Sequence, residues 1–167
     1  MTNNITFRKL SINDKPQLDE LIRKIESSLS CRDWWLPILP TAYKHFFDEK
    51  WTLFCGAFDK ENLIGASALF FNEFEYKDTV QQIGLSKHLI AEIGRCMVLS
   101  DYRGNHLMVK MIEFLFNINP KEFDYFVATA HPDNLPSIIS LEKLGFKKQG
   151  TFVKNGFIRN IYLREFF

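Results

Sequence analysis

Apolar residues along the chain recur with two periods, one typical of strands and one typical of helices. Runs or alternations of apolar residues predict strands over residues 5–10, 51–58, 63–72, 89–99, 123–130, 146–153 and 157–163. Spacings of three or four residues predict helices from Leu18 to Ile25, over residues 42–48, from Met108 to Leu115 and from Ile138 to Leu144. Residues 74–87 follow neither period, and we predict that they are mostly loop.

Turn and cap residues separate these elements. Asp133 or Asn134 can cap the last helix, and Gly145 stands where a left-handed C-terminal cap is expected. Asn155-Gly156 between two strands is a strong signal for a tight hairpin. The resulting order is β-α-α-β-β-β-α-β-α-β-β, without an internal repeat or a linker. This order predicts one α/β domain with a mixed sheet over residues 1–167.

The composition is that of a globular protein. Of the 167 residues, 46% are apolar and 25% charged, and the net charge is +1 without a block of lysines or arginines, so we expect no nucleic-acid partner. No apolar run is long enough to cross a bilayer and the first residues are too polar for a signal peptide, so we expect a cytoplasmic protein without a membrane partner. The seventeen phenylalanines fill a core and leave some for a substrate pocket or the interface of a homodimer.

The cysteines and histidines predict neither disulfides nor a metal site. Cys31, Cys55 and Cys96 are widely spaced and odd in number, which is neither a disulfide framework nor a zinc spacing. The four histidines also lack metal-ligand spacing. Cys96 stands among apolar strand residues, which is typical of inert packing rather than of a nucleophile.

A strand, a short loop and a helix follow one another between residues 91 and 117. Such a loop presents free backbone N–H groups at the helix N-terminus, which favours a bound anion such as a phosphate. The loop reads Arg103-Gly104-Asn105-His106-Leu107-Met108. It resembles the acetyl-CoA pyrophosphate loop of the Gcn5-related N-acetyltransferase (GNAT) superfamily, Arg/Gln-x-x-Gly-x-Gly/Ala. The first position fits, whereas His106 and Met108 replace the small residues of the fourth and sixth positions.

A second block, from Asn134 to Phe146, resembles the same superfamily. The superfamily pattern is Asn-x-x-Ala-x-x-x-Tyr-x-x-x-Gly-Phe, and the chain matches it at Asn134, Gly145 and Phe146. Leu141 stands at the position of the tyrosine that protonates the departing thiolate in many members, and leucine cannot do so. Water, Ser137 or a tyrosine from elsewhere such as Tyr76 would have to substitute. Together the two blocks cover roughly the C-terminal half of the chain.

The resemblance implies both a fold and a cofactor. The fold is a single GNAT-like domain with a mixed central sheet of about six to seven strands, a bulged and splayed central strand, and helices on both faces. The cofactor is acetyl-CoA, whose thioester is expected along the backbone of Met97, Val98 and Leu99, where the bulge exposes amides that hold its carbonyl. Asn134 and Ser137 complete the expected cofactor contacts beside the pyrophosphate loop.

Glu92 is the candidate catalytic residue. Its position before the thioester segment resembles that of the general-base glutamate in the histone-acetyltransferase branch of the superfamily. An acceptor amine is mostly protonated at neutral pH and must lose a proton before it attacks, and a carboxylate can take that proton, often through water. The alternative is a solvent-facing glutamate or one that forms a salt bridge beside Arg95.

The acceptor pocket is expected from residues 31–36 and 70–76. These segments hold aromatic residues with interspersed carboxylates, which suit a cationic amine. The candidate contacts are Trp34, Trp35, Glu73 and Tyr76. The alternative is that most of these aromatic residues belong to the core.

The resulting hypothesis is an acetyl-CoA-dependent N-acetyltransferase. It would move an acetyl group to a primary amine of a small molecule or a peptide, by direct attack in a ternary complex. The alternative from another class is a CoA-binding sensor or interaction module of the same fold with weak or no activity. The sequence does not identify the amine.

Overall fold

The computed structural model describes residues 4–166. Seven strands form one sheet in the order β1-β2-β3-β4-β5-β7-β6, in which only the β4–β5 pair is parallel. The strands are β1 Ile5–Lys9, β2 Thr52–Asp59, β3 Asn62–Phe70, β4 Ile90–Val98, β5 Tyr125–Ala130, β6 Lys147–Lys154 and β7 Phe157–Glu165. The parallel pair needs a crossover, which the helix between β4 and β5 provides.

Five helices cover the two faces of the sheet. They are α1 Lys15–Ser28, α2 Pro40–Tyr43, α3 Glu73–Gln82, α4 Leu107–Ile118 and α5 Leu135–Lys143. Helix α4 and helix α5 bury their apolar stripes, including Met111, Leu115 and Leu141, on one face. Helix α1 buries Leu18, and α3 buries Val80, on the opposite face. The predicted mixed sheet of about seven strands with helices on both faces is therefore confirmed.

The sheet opens beside β4, as the predicted bulge and splay require. Arg95 and Cys96 together oppose the single residue Ser67 of β3, and Arg95 adopts the left-handed conformation with φ +51°. Strand β4 pairs with β5 only from Ile90 to Ile93. Beyond Ile93 the two strands separate, and the edge of β4 that faces β5 loses its strand partner.

The prediction of a loop over residues 74–87 was wrong, because α3 occupies most of this segment. Within α3 only Thr79 and Val80 are buried. A helix with so narrow a buried stripe gives little apolar periodicity, and the sequence pattern therefore missed it. The helix predicted over residues 42–48 is instead the short α2, followed by i→i+3 turns as far as Asp48.

The turn predictions are confirmed by backbone conformation. Asn155 and Gly156 have φ +51° and +85°, as a two-residue hairpin between β6 and β7 requires. Gly145 ends α5 with φ +84°. Asn134 is the N-cap of α5, and its Oδ1 accepts a hydrogen bond from the Ser137 N–H at 3.4 Å. None of the helices formed by residues 4–166 has the length and apolarity to cross a membrane.

Candidate active site

A cavity of about 440 Å³ lies where β4 and β5 separate. Its lining runs from Trp34 and Phe74 on the face of α1 and α3, past the bulge of β4, to Asn134 and Ser137 at the start of α5. The cavity therefore connects the two faces of the sheet through the opening between the strands. Its size suits a small molecule or the end of a peptide.

Glu92 lies in β4, one residue before Ile93, where the pairing with β5 ends. It forms cross-strand pairs with Phe70 of β3 and Val127 of β5, so it lies on the face of α1 and α3. Its side chain is 6% exposed and lines the cavity. This excludes the alternative of a solvent-facing glutamate.

The electrostatic surroundings of Glu92 favour a carboxyl group that gains and loses a proton near neutral pH. Burial raises the pKa of Glu92 to about 7; Lys154 opposes this rise, Glu75 adds to it, and Arg95 opposes it. The Lys154 Nζ lies 3.8 Å from the Glu92 Oε1, but the same ammonium donates a hydrogen bond to the Glu75 carbonyl. The attraction of Lys154 does not offset the loss of water around Glu92, which is the larger effect on its pKa.

The thioester segment presents its backbone to the opening. The Leu99 N–H donates to the Ile64 carbonyl at 2.9 Å, and is therefore turned toward β3. Successive peptide groups of a strand point to opposite sides, so the Val98 N–H is turned toward the opening. The Met97 side chain is buried, and Val98 and Leu99 pack against the core, as expected for residues that act through their backbone.

The loop before α4 adopts the left-handed backbone conformation at Gly104 and His106. Gly104 has φ +83°, and a β-carbon at this position would meet no atom within 4 Å. His106 is the N-cap of α4 and has φ +57°, a conformation that glycine adopts without strain. The histidine therefore occupies a backbone conformation that favours glycine, the residue of the family pattern at this position. Residues Arg103 to His106 are exposed, and the buried Leu107 begins the helix.

Further side chains around this loop belong to α4 and α5. The Lys143 Nζ lies 3.2 Å from the His106 Nδ1, which adds a cation beside the loop. Met108 is half-buried and lines the cavity, as do Asn134 and Ser137. Leu141 also lines the cavity but is fully buried in the core, so the position of the family tyrosine is filled by an apolar side chain.

The acceptor segments reach the cavity only in part. Trp34 and Trp35 line the cavity, but Glu73 and Tyr76 do not. The α3 residues that line it are Phe74 and Glu75. Phe74 is 85% exposed at the rim.

Trp35 is held in place on the side of the cavity away from the cofactor loop. Its Nε1 donates to the Glu26 carboxylate at 3.1 Å, and the Arg95 guanidinium lies over its ring at 5.4 Å. Arg95 also donates to the Leu36 carbonyl. The residue at the bulge thus anchors the loop that carries both tryptophans.

Several charged residues of the cavity were not identified from the sequence. These are Lys44, Arg95 as an anchor, Lys154 and Arg159. For Arg159 a signal existed, because it lies on the same face of its strand as Phe157, Ile161 and Leu163. It is therefore an inward-facing charge in an apolar strand. Among residues 4–166 no group of three or more His, Cys, Asp or Glu side chains is placed to hold a metal ion.

The comparison with known families decides the relationship. The sequence model of the Acetyltransferase (GNAT) family matches residues 18–146. The chain belongs to the GNAT acetyltransferase family. The match covers the early helices as well as the two C-terminal blocks, and the predicted resemblance is confirmed. No curated protein sequence matches the chain.

Solved structures of the family have the same fold. NAA60 of Arabidopsis thaliana in complex with a bisubstrate analogue is 16% identical with a TM-score of 0.72, covering 97% of this chain and 98% of its own. The NatC complex bound to Gag peptide and CoA includes a chain that is 18% identical with a TM-score of 0.72, with 98% and 99% coverage. RimL, a ribosomal L7/L12 alpha-N-protein acetyltransferase in complex with coenzyme A, is 16% identical with a TM-score of 0.67, with 99% and 95% coverage. At these identities the likeness shows the fold, and membership of the family supports acetyl-CoA as the cofactor.

Proposed function

We propose that the protein is an N-acetyltransferase that moves an acetyl group from acetyl-CoA to a primary amine. The observation that carries the proposal is the position of Glu92. A buried carboxyl group whose pKa burial raises to about 7 lines a cavity that crosses the sheet at the opening between β4 and β5. A general base is most effective when its pKa lies near the working pH.

The residues of the chain divide the work between the two faces of the sheet. The amides of the loop from Arg103 to Met108 hold the cofactor pyrophosphate, and Asn134 and Ser137 line its path. Acetyl-CoA supplies the acyl group as an activated thioester. The Val98 N–H, turned toward the opening, is the donor for the acyl carbonyl. Glu92 takes the proton from the acceptor amine, directly or through a water molecule.

Direct attack in a ternary complex is favoured over a covalent acyl-enzyme. Cys96 is the only cysteine among residues 4–166 that lines the cavity. Burial raises the pKa of its thiol to about 11, so that it is protonated at neutral pH, and its Sγ donates to the Gly94 carbonyl at 3.7 Å. A protonated, packed thiol is a poor nucleophile.

The acceptor is an amine of a small molecule or of a peptide. The aromatic residues Trp34, Trp35 and Phe74 border the cavity on the side of α1 and α3. Support for a peptide comes from a related structure, since the NatC complex was solved with Gag peptide. From the predicted set, Trp34 and Trp35 remain the candidate acceptor contacts, and Glu75 replaces Glu73 and Tyr76.

The test is acetyl transfer by the purified chain. A panel of small amines and peptide N-termini is incubated with acetyl-CoA, and release of free thiol is measured. We expect amine-dependent thiol release for at least one acceptor class, with a rate that rises with pH through about 7. Tight binding of acetyl-CoA without transfer to any amine would instead favour the CoA-binding module. Absence of CoA or acetyl-CoA binding at millimolar concentration would refute both functions.

A further inference from the structure

Arg159 of β7 is a buried cation whose hydrogen bonding is incomplete. It is 2% exposed and lines the cavity. Its Nη1 donates to the Ile158 carbonyl at 2.7 Å, whereas its buried Nη2 has no hydrogen-bond partner among residues 4–166. The guanidinium group stays protonated in proteins, so a full positive charge is held away from water. Such a charge destabilises a protein unless an anion pairs with it.

The neighbours of Arg159 do not supply that anion. Burial lowers the pKa of Arg159, and the Asp33 carboxylate opposes this only in part; Asp33 is exposed and, in the described part of the chain, no carboxylate forms an ion pair with Arg159. Arg95 lies close enough to oppose its charge, and burial acts in the same direction. Phe157 contributes only its ring, at 5.7 Å. Among residues 4–166, no carboxylate therefore pairs with the Arg159 guanidinium.

The sheet places this cation on the same face as the proposed base. Glu92 pairs with Val127 of β5, and Val127 pairs with Leu163 of β7. Arg159 lies four residues before Leu163 along β7, so its side chain is on that same face. Because β7 runs antiparallel to β5, Arg159 is level with the bulge of β4, across the opening between the strands. One cavity therefore contains a carboxyl group on one side and an unpaired guanidinium on the other.

We propose that the acceptor carries a carboxylate in addition to its amine, and that Arg159 binds this carboxylate while Glu92 faces the amine. The inference rests on the proposed function, because it names the substrate class of the same site. The carboxylate belongs either to a free amino acid or to an acidic side chain at a peptide N-terminus. A carboxylate brings one negative charge beside Arg159, whereas a phosphate, with nearly two, would repel Glu92 more strongly.

The test uses matched acceptors that differ only in the acidic group. One pair is a free amino acid and its C-terminal amide. The other is an amidated peptide that begins with Asp and the same peptide beginning with Asn. We expect the wild-type enzyme to prefer the acidic member of one pair by about 10- to 100-fold in kcat/KM, as a charged hydrogen bond in a buried site predicts. The pair that shows the preference identifies the source of the carboxylate.

Arg159→Gln should abolish this preference. It should raise KM for the acidic acceptor while leaving KM for the amide and the Kd of acetyl-CoA unchanged. Arg164→Gln is the matched control, because it makes the same change in the same strand outside the cavity lining, and it should keep the preference. An equal loss of activity toward both members would assign Arg159 a structural role. Equal kcat/KM of the wild-type enzyme for both members of both pairs would overturn the proposal without any variant.

Calorimetry separates this inference from the proposed function. The same pairs are titrated into protein saturated with CoA. Selective binding of the acidic member, lost in Arg159→Gln, would support the inference even where no acetyl transfer occurs. Equal binding of both members, or none by either, would overturn it. Where Arg159→Gln does not fold, Arg159→Lys keeps the charge without the planar fork, and a reduced preference is then expected.

Discussion

The two sides of the cavity are built from different parts of the polypeptide. On the proposed cofactor side, from Met97 to Met108 and at the start of α5, the functional groups are mostly backbone amides in exposed turns. On the proposed acceptor side, the functional groups are side chains: the buried Glu92 and Arg159 and the half-buried Arg95 and Lys154. Backbone sites depend on local conformation, whereas side-chain sites depend on desolvation and on charges brought from distant strands. Substitutions on the two sides should therefore have different signatures.

The largest effect is expected from Glu92→Gln. Removing the base should lower kcat on the order of 10²-fold without changing acetyl-CoA affinity. It should also abolish the acidic limb of the pH–rate profile near pH 7. Steady-state kinetics from pH 5 to 9 measure both. Glu75→Gln makes the same chemical change nearby. Because the charge of Glu75 raises the pKa of Glu92, the loss of that charge should move the acidic limb to lower pH and leave the plateau value of kcat unchanged. An unchanged profile in Glu92→Gln would make Glu92 structural.

The stability of the same variant should depend on pH. Burial raises the pKa of Glu92 in the folded protein to about 7, above its ordinary value of 4.5. Between these two pH values the folded state therefore binds more protons than the unfolded state. Wild-type stability from this group therefore falls as pH rises through that window. The free energy of unfolding of Glu92→Gln, measured with urea, should therefore rise by about 2 kcal/mol relative to that of the wild type between pH 5 and pH 8. Glu113→Gln, at an exposed position of α4, should show no such difference.

On the cofactor side, Gly104→Glu should weaken acetyl-CoA binding. A side chain at φ +83° strains the loop, and a carboxylate there repels phosphate, so the calorimetric Kd should rise about 10-fold or more. Gly84→Glu is the matched control, since Gly84 is exposed with φ +72° and no atom within 4 Å of its would-be β-carbon. It should carry the same backbone strain and leave the Kd unchanged. Equal effects of the two would mean that the loop does not bind the cofactor.

Trp35→Ala should act on the acceptor alone. Because Arg95 and Glu26 hold the Trp35 ring at the cavity, its loss should raise the acceptor KM about 5-fold, as for a partly exposed aromatic contact, with acetyl-CoA affinity retained. Trp51→Ala removes a tryptophan outside the cavity lining and should not change KM selectively. Loss of stability without a selective effect on the acceptor KM would mean that Trp35 has only a structural role.

The smallest effect is expected from His106→Gly. It restores the residue of the family pattern at φ +57°, and the strain relieved is nearly offset by the extra freedom of glycine when unfolded. Stability should change by less than about 1 kcal/mol, and the Kd of acetyl-CoA by less than about 3-fold. A Kd more than 10-fold higher would show that the imidazole itself contacts the cofactor.

The turns and most of the fold could be predicted because their signals are local. Gly145 and Asn155-Gly156 specify turns by their own backbone conformation, and apolar spacing specifies which face of α4 is buried. Helix α3 was missed because its buried stripe is too narrow to give a period. Glu92 was found by its place before the thioester segment, but its burial was not.

The sequence by itself therefore determined all of the strands, every helix except α3 and the loop before α4, since each depends on residues that are neighbours along the chain. Only the tertiary structure decided the acceptor side. Glu92, Lys154 and Arg159 come from three strands, and they share one cavity because β4 leaves β5 at Ile93. Whether a charge is paired, shared or left alone depends on every element that surrounds it. No local pattern could show that Lys154 is divided between two partners or that Arg159 has an unpaired Nη2.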